Sequence, residues 1–161
     1  MVWIKAFLSD CSQNVLVDGG KSEPAPVISG VPQGTVLGPI LFLIFINDLP
    51  QNINANIRLF ADDCIVFSTI KTTEDCKALQ EDLDTLSDWE QRWGMEFHPE
   101  KCNVLSCTTS RNPVRFNYKL KGHTLEHVDS SKYLGVDIRD DLNWKDHITR
   151  VTNKANSMVG F

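Results

Sequence analysis

The five cysteines of this chain include no Cys-x-x-Cys pair and are odd in number, so neither a zinc site nor a complete disulfide framework is suggested. Reduced thiols in an intracellular setting fit that usage best. Long apolar runs are scarce as well. The run at residues 40–46 is apolar throughout but too short to span a bilayer. Residues 1–10 hold Lys5 and Asp10 within a brief apolar stretch and lack the h-region and cleavage pattern of a signal peptide. Basic charge is in deficit: 16 Lys and Arg against 21 Asp and Glu leave a formal net charge of -5. That argues against strong nonspecific phosphate binding by the whole surface, while leaving room for a locally basic groove. Repeats, low-complexity tracts and linkers are absent. What is present is ordinary for a globular protein: 161 residues, 42% hydrophobic and 23% charged, enough for one domain with a sizeable core.

Local patterns predict a mixture of helices and strands. Residues 2–8 read as the tail of a helix that begins abruptly. Residues 15–17 and 26–28 read as short strands around the turn former Asp18-Gly19-Gly20. A loop rich in turn formers, residues 29–35, precedes Gly38-Pro39, where proline suits the first turn of a helix. Residues 40–49 are apolar nearly all round, which predicts a buried helix ending at Leu49-Pro50, with a buried strand as the alternative. Thr72 and Asp75 form a capping-box pattern ahead of a long amphipathic helix carrying Leu79, Leu83, Leu86 and Trp93, and Gly94 is its natural stop. The charged face of that helix is expected to be solvated. Residues 102–107, 116–120 and 133–138 read as strands. From Asp146, the spacing of Ile148, Val151, Ala155, Met158 and Val159 predicts a last amphipathic helix, uncapped at its end.

The most informative feature is Phe60-Ala61-Asp62-Asp63, set between apolar runs that read as two short buried strands. At the bend between them, adjacent carboxylates need not point to opposite faces. Two neighbouring carboxylates repel each other and resist desolvation, so an apolar setting requires a positive partner. Magnesium suits, because it takes one or two protein carboxylates and completes its shell with water and phosphate oxygens. A plain solvated turn is the alternative, since Asp is a common turn former. Two further elements keep the pair company. Pro32, Gln33 and Gly34 form a loop that lets backbone approach a ligand, with a positive helix end behind it. Lys101 lies in a loop from which it could neutralise or protonate a phosphate leaving group. Either element alone also reads as an ordinary loop.

Together these residues resemble a known family. Residues 29–42 (Ser-Gly-Val-Pro-Gln-Gly-Thr-Val-Leu-Gly-Pro-Ile-Leu-Phe), followed by Ile46-Asn47-Asp48-Leu49-Pro50, resemble a signature of reverse transcriptases, most like those of non-LTR retrotransposons of the jockey and chicken-repeat-like type. Phe60-Ala61-Asp62-Asp63 resembles the family's Tyr/Phe-x-Asp-Asp box. Trp93-Gly94-Met95 with Pro99-Glu100-Lys101-Cys102 is similar to the next motif, and Lys132-Tyr133-Leu134-Gly135-Val136 to the primer-grip segment. The resemblance runs from Trp3 to the end of the chain.

It implies an α+β fold: part of a right-hand polymerase palm, a split βαβ with a ferredoxin-like antiparallel sheet and helices on one face. Residues 1–145 would be the palm, including a primer-grip hairpin, and residues 146–161 the start of a thumb helix. The implied chemistry is RNA-directed DNA synthesis by two-metal nucleotidyl transfer. Its cofactors would be two magnesium ions, or manganese, and its partners an RNA template, a DNA primer and dNTPs, with no membrane. By the resemblance Asp62 and Asp63 serve as metal ligands and catalytic carboxylates, and Lys101 as general acid. Pro32, Gln33 and Gly34 position template and nucleotide; Tyr133, Leu134 and Gly135 hold the primer. The chain departs from the pattern at Cys11, where relatives often carry a basic residue, and at His98, where they often carry Asn. The family's third catalytic carboxylate belongs to a strand upstream of residue 2. An isolated chain without it is expected to show an unpaired central sheet edge and negligible activity. A non-catalytic remnant that binds RNA or a protein partner is the alternative.

Overall fold

The computed structural model describes residues 2–160. The chain divides into two units, residues 1–48 and 49–161. In the first unit, helix α1 (Val2–Leu8) stacks Trp3 on Phe7 across one turn, ring centroids 5.8 Å apart. A nested pair of two-residue ladders follows. Strand β1 (Ser12–Gln13) pairs with β4 (Ala25–Pro26) around the hairpin of β2 (Leu16–Val17) and β3 (Gly20–Lys21). The turn expected at Asp18-Gly19 is where it should be, but the second predicted strand is displaced from 26–28 to Ala25–Pro26.

Helix α2 (Leu37–Ile46) is a helix rather than the alternative strand. It is not buried, contrary to expectation: only Gly38 and Ile46 are, while Ile40, Leu43 and Ile44 are at least half exposed. A helix that is apolar all round needs cover on every side, and a unit of 48 residues supplies too little.

The second unit opens with the hairpin of β5 (Asn56–Phe60) and β6 (Asp63–Phe67). Helix α3 (Thr73–Trp93) follows with the predicted capping box, Thr72 and Asp75 each bonding the other's backbone, and with Gly94 closing it in the left-handed conformation. After a 3-10 turn (Pro99–Lys101) come β7 (Asn103–Leu105), the hairpin β8 (Lys119–Leu120) with β9 (His123–Thr124), then β10 (Glu126–Val128). β10 runs parallel to β7. The hairpin of β11 (Ser130–Tyr133) and β12 (Val136–Arg139) leads to helix α4 (Lys145–Val159).

The mixture of helices and small, mostly antiparallel sheets is the expected α+β class. No single central sheet assembles among the described residues; the strands form six two-stranded ladders. Three predicted strands are also cut, the one at 102–107 to Asn103–Leu105. Of residues 116–120 only Lys119–Leu120 pairs as a strand, its backbone clamped by Gln80, which accepts from Lys119 N–H and donates to its carbonyl. Residues 133–138 are broken by a two-residue turn at Leu134-Gly135. Helix α4 carries a cap after all, Gly160 donating to the Asn156 carbonyl, and its apolar residues Ile148, Val151, Met158 and Val159 are exposed.

The core of this unit lies between α3 and the β7–β10 region. Cys76, Tyr118, Leu120 and Leu125 are buried together, with Leu79, Leu83, Phe97 and Val104 packed against them. Burial and the Cys76 thiol beside it push the Tyr118 hydroxyl well above the ordinary phenol range. The inner face of α3 is not purely apolar. Asp82 and Glu90, expected on a solvated face, are 2% and 4% exposed. Both Asp82 oxygens are satisfied: Oδ1 accepts from Asn54 N–H at 2.9 Å and Oδ2 from Ala55 N–H at 2.7 Å. Glu90 Oε1 accepts from Phe97 N–H at 3.0 Å and from Lys121 Nζ at 2.6 Å. Asp82 thus ties the helix to backbone twenty-seven or more residues away, and Glu90 to the amide just past the helix end, donors that would otherwise stay unpaired.

Candidate metal and nucleotide site

The β5–β6 register opposes Phe60 to Asp63, so the loop between the strands is only Ala61-Asp62. Asp62 is therefore a loop residue, and Asp63 is the first residue of β6. Ala61 sits at φ +49°, the left-handed region that favours glycine at the first position of a II′-type hairpin turn. An alanine held there costs about 1–2 kcal/mol, and such strain gathers where a side chain must be aimed. Ala61→Gly is accordingly expected to stabilise the protein by about 0.5–1 kcal/mol, strain relief exceeding glycine's entropy cost. Urea denaturation measures it; a loss of stability would show that the turn is unstrained.

The strands flanking the acidic pair were expected to be buried, and they are not. Ile57, Leu59, Ile65 and Val66 are half-buried, but Phe60 and Phe67 are exposed, as are Asp62 and Asp63. A two-stranded ribbon covers at most one of its faces against the rest of its unit, and among the described residues no third strand pairs with either edge. Neither carboxylate has an ion-pair partner among the described residues. No group of three or more His, Cys, Asp or Glu side chains converges among them either. Adjacent, unpaired and reachable, the two carboxylates are a donor set that fits one hard divalent cation completed by water and phosphate oxygens. A cation pair asks for more carboxylates than these.

Lys101 ends the 3-10 turn, its N–H bonded to the His98 carbonyl at 2.9 Å and its side chain exposed. The residues that follow each motif, Cys64 and Cys102, are both thiols. The Cys64 thiol is pushed up to about 11, mainly by desolvation and additionally by the nearby Cys102 thiol, although Cys64 keeps an exposed surface. Cys64 follows Asp63 and Cys102 follows Lys101. Glu90 on the core face of α3 holds the Phe97 amide just ahead of this turn.

Pro32, Gln33 and Gly34 belong to the first unit. Gly34 has φ +75° and Gln33 does not share the positive sign, the pattern of a type II turn that requires glycine at its third position. The helix end behind this turn is less open to an anion than expected. Thr35 Oγ1 accepts from Gly38 N–H at 3.0 Å and donates to the Pro32 carbonyl at 2.8 Å, and Pro39 has no N–H to offer. A Cβ at Gly38 would lie 3.0 Å from the Pro32 carbonyl oxygen, so the loop is folded tightly onto its helix.

Tyr133 pairs with Val136 across Leu134-Gly135, whose φ values of +48° and +84° define a type I′ turn. Glycine takes that conformation freely; a leucine does not. Leu134 nevertheless occupies it, half exposed at the hairpin tip. Three residues without any sequence signal surround the hairpin's base. Arg150 on α4 bonds Asp137 through Nε and the Gly135 carbonyl through a terminal nitrogen at 2.7 Å, and His147 Nδ1 accepts from Asp137 N–H at 3.3 Å.

No helix among the described residues is long and apolar enough to cross a membrane. A sequence model of the family described as reverse transcriptase (RNA-dependent DNA polymerase) matches residues 1–138. The chain is 32% identical over 165 residues to the RNA-directed DNA polymerase from mobile element jockey of Drosophila melanogaster, covering 97% of this chain. It is 34% identical over 169 residues to the protein of the same description in Drosophila funebris, again 97% of this chain. Over 163 residues it is 32% identical to the probable RNA-directed DNA polymerase from transposon BS of Drosophila melanogaster. The chain spans 18% of the length of each of these relatives. No solved structure matches.

Proposed function

The chain belongs to the reverse transcriptase (RNA-dependent DNA polymerase) family, and from that premise we propose that it is palm-derived machinery of a mobile-element polymerase. In this reading residues 1–145 are palm and 146–161 the start of a thumb helix, and the parent reaction is RNA-directed DNA synthesis on an RNA template with a DNA primer and dNTPs. The observation that carries it is the strained two-residue loop that sets Asp62 and Asp63 side by side, open to solvent, at the tip of a hairpin.

Asp62 and Asp63 are the residues that would hold a divalent cation, magnesium or manganese. Such an ion, when bound, neutralises phosphate oxygens and lowers the pKa of an attacking hydroxyl. The chain's own groups supply the rest. Lys101, exposed at the end of its 3-10 turn, offers a proton or a positive charge to the leaving pyrophosphate. Pro32, Gln33 and Gly34 present backbone to template and nucleotide, and Tyr133, Leu134 and Gly135 form the tip against which a primer end rests.

A second reading keeps nucleic-acid or protein binding without catalysis. It is favoured by the fact that only two carboxylates stand at the hairpin, with no third converging among the described residues. One experiment addresses both. The 161-residue chain is incubated with a labelled DNA primer on an RNA homopolymer, with magnesium or manganese, and binding is scanned against salt. Retained phosphate contacts give a log–log slope steeper than about -2, equivalent to at least two or three neutralised phosphates. Extension of the primer is expected to be negligible. Binding without a salt slope would overturn the polymerase reading; robust extension would overturn the two-carboxylate argument.

A further inference from the structure

The hairpin tip at Leu134-Gly135 is held in a costly conformation, and a contact from another element holds it there. Arg150 lies thirteen residues beyond Asp137 on α4, yet its guanidinium reaches back to that carboxylate and to the Gly135 carbonyl. A terminal nitrogen also lies 3.2 Å from His147 Nδ1. One rigid, planar fork thus meets two acceptors, on the tip of the hairpin and on its second strand, with the imidazole of the helix beside it. Lysine cannot reproduce that pattern from a single ammonium. The Asp137 side chain is only 18% exposed and Arg150 39%, and charge-assisted bonds so sheltered order a loop better than open surface pairs do. The neighbouring Arg139 is committed elsewhere, to Asp141 and Asp146.

We propose that Arg150 is a positioning residue for the hairpin tip: braced by Asp137, it holds the Gly135 carbonyl and so keeps Leu134 in the left-handed conformation that presents it to a primer end. The proposal rests on the primer-binding reading of residues 133–135 given above. It also makes α4 and the hairpin one mechanical piece, so that movement of the helix re-aims the tip.

The test separates positioning from plain electrostatics. Anisotropy of a fluorescent DNA primer annealed to an RNA template is titrated with the wild-type chain, Arg150→Ala, Arg150→Lys and Asp137→Asn at one fixed salt concentration. Removing the negative charge of Asp137 ought to tighten phosphate binding if charge alone mattered. Positioning requires the reverse: Asp137→Asn and Arg150→Ala each weaken binding about tenfold, and Arg150→Lys recovers only part of it. Amide exchange on the same samples accelerates at Gly135 and Val136 while α3 stays protected, which certifies the fold. Where Arg150→Ala loses α3 protection, Arg150→Lys and Asp137→Asn carry the comparison. Wild-type binding with Asp137→Asn equal to it or tighter overturns the proposal alone. A wild-type chain that leaves the duplex free overturns the primer-binding reading, and the proposal with it.

Discussion

Asp82→Ala is expected to remove about 3 kcal/mol of folding stability, the sum of two hydrogen bonds to a charged acceptor. Asp82 is nearly inaccessible, and its two oxygens accept the backbone N–H groups of Asn54 and Ala55, which lead directly into β5. Truncation leaves both donors without a partner beside a helix that blocks water from replacing the carboxylate. Domains of this size have about 5–15 kcal/mol in total, so the loss is a fifth or more of the whole. Asp82→Asn keeps the volume and one acceptor and is expected to lose about 1 kcal/mol. Urea denaturation followed by tryptophan fluorescence reads both, since Trp89 lies on the same face of α3. A loss below about 1 kcal/mol for the alanine variant would mean that Asn54 and Ala55 find water instead.

The second large effect concerns the acidic pair and moves a different observable. Asp62→Asn with Asp63→Asn is expected to abolish saturable magnesium binding to the chain, because asparagine's neutral carbonyl cannot replace a carboxylate for a hard cation that keeps most of its own water. Stability should hold within about 0.5 kcal/mol, or rise slightly as the like charges vanish, both residues being exposed. Magnesium titration followed by chemical-shift changes at residues 60–64 measures the first, and urea denaturation the second. A wild-type chain whose hairpin signals ignore magnesium would leave Asp62-Asp63 as an ordinary solvated turn. A large stability loss in the double variant would show instead that the pair has structural partners.

These two predictions sit on opposite sides of what could be read beforehand. Asp62 and Asp63 announce themselves because a charged doublet interrupts two apolar runs. Asp82 does not, because an acid every third or fourth position of a long helix is what any solvated face contains. Its role depends on where the backbone at 54–55 ends up, twenty-seven or more residues away in the chain. Arg150, Asp137 and His147 are in the same position: their chemistry is common, and only their meeting at the hairpin base is informative. The strand predicted across 133–138 failed for a local reason. Tyr133, Leu134, Val136 and Ile138 have strand propensity, and Gly135 was outweighed, yet a glycine at the second position of a two-residue turn decides the register.

Burial was the other misreading. Apolar runs predicted buried strands at 59–61 and 64–67 and a buried helix at 40–49, and these elements form with their apolar residues largely or partly exposed. Composition says what a segment would prefer to hide; only the surrounding chain decides whether there is anything to hide it against. Cover for α2 would have to come from contacts beyond those its own unit of 48 residues provides.

Local chemistry was therefore decided within a few residues. The Thr72–Asp75 box, the Gly94 stop and the bend at Asp62-Asp63 depend on steric limits and hydrogen bonds that span one turn, and neighbours along the chain suffice for those. Which acids become anchors, which arginine braces a strained tip, and how much of an apolar helix stays wet depend on groups far apart in sequence. Those outcomes required the folded chain, because desolvation and charge pairing take their value from whatever lies across the gap.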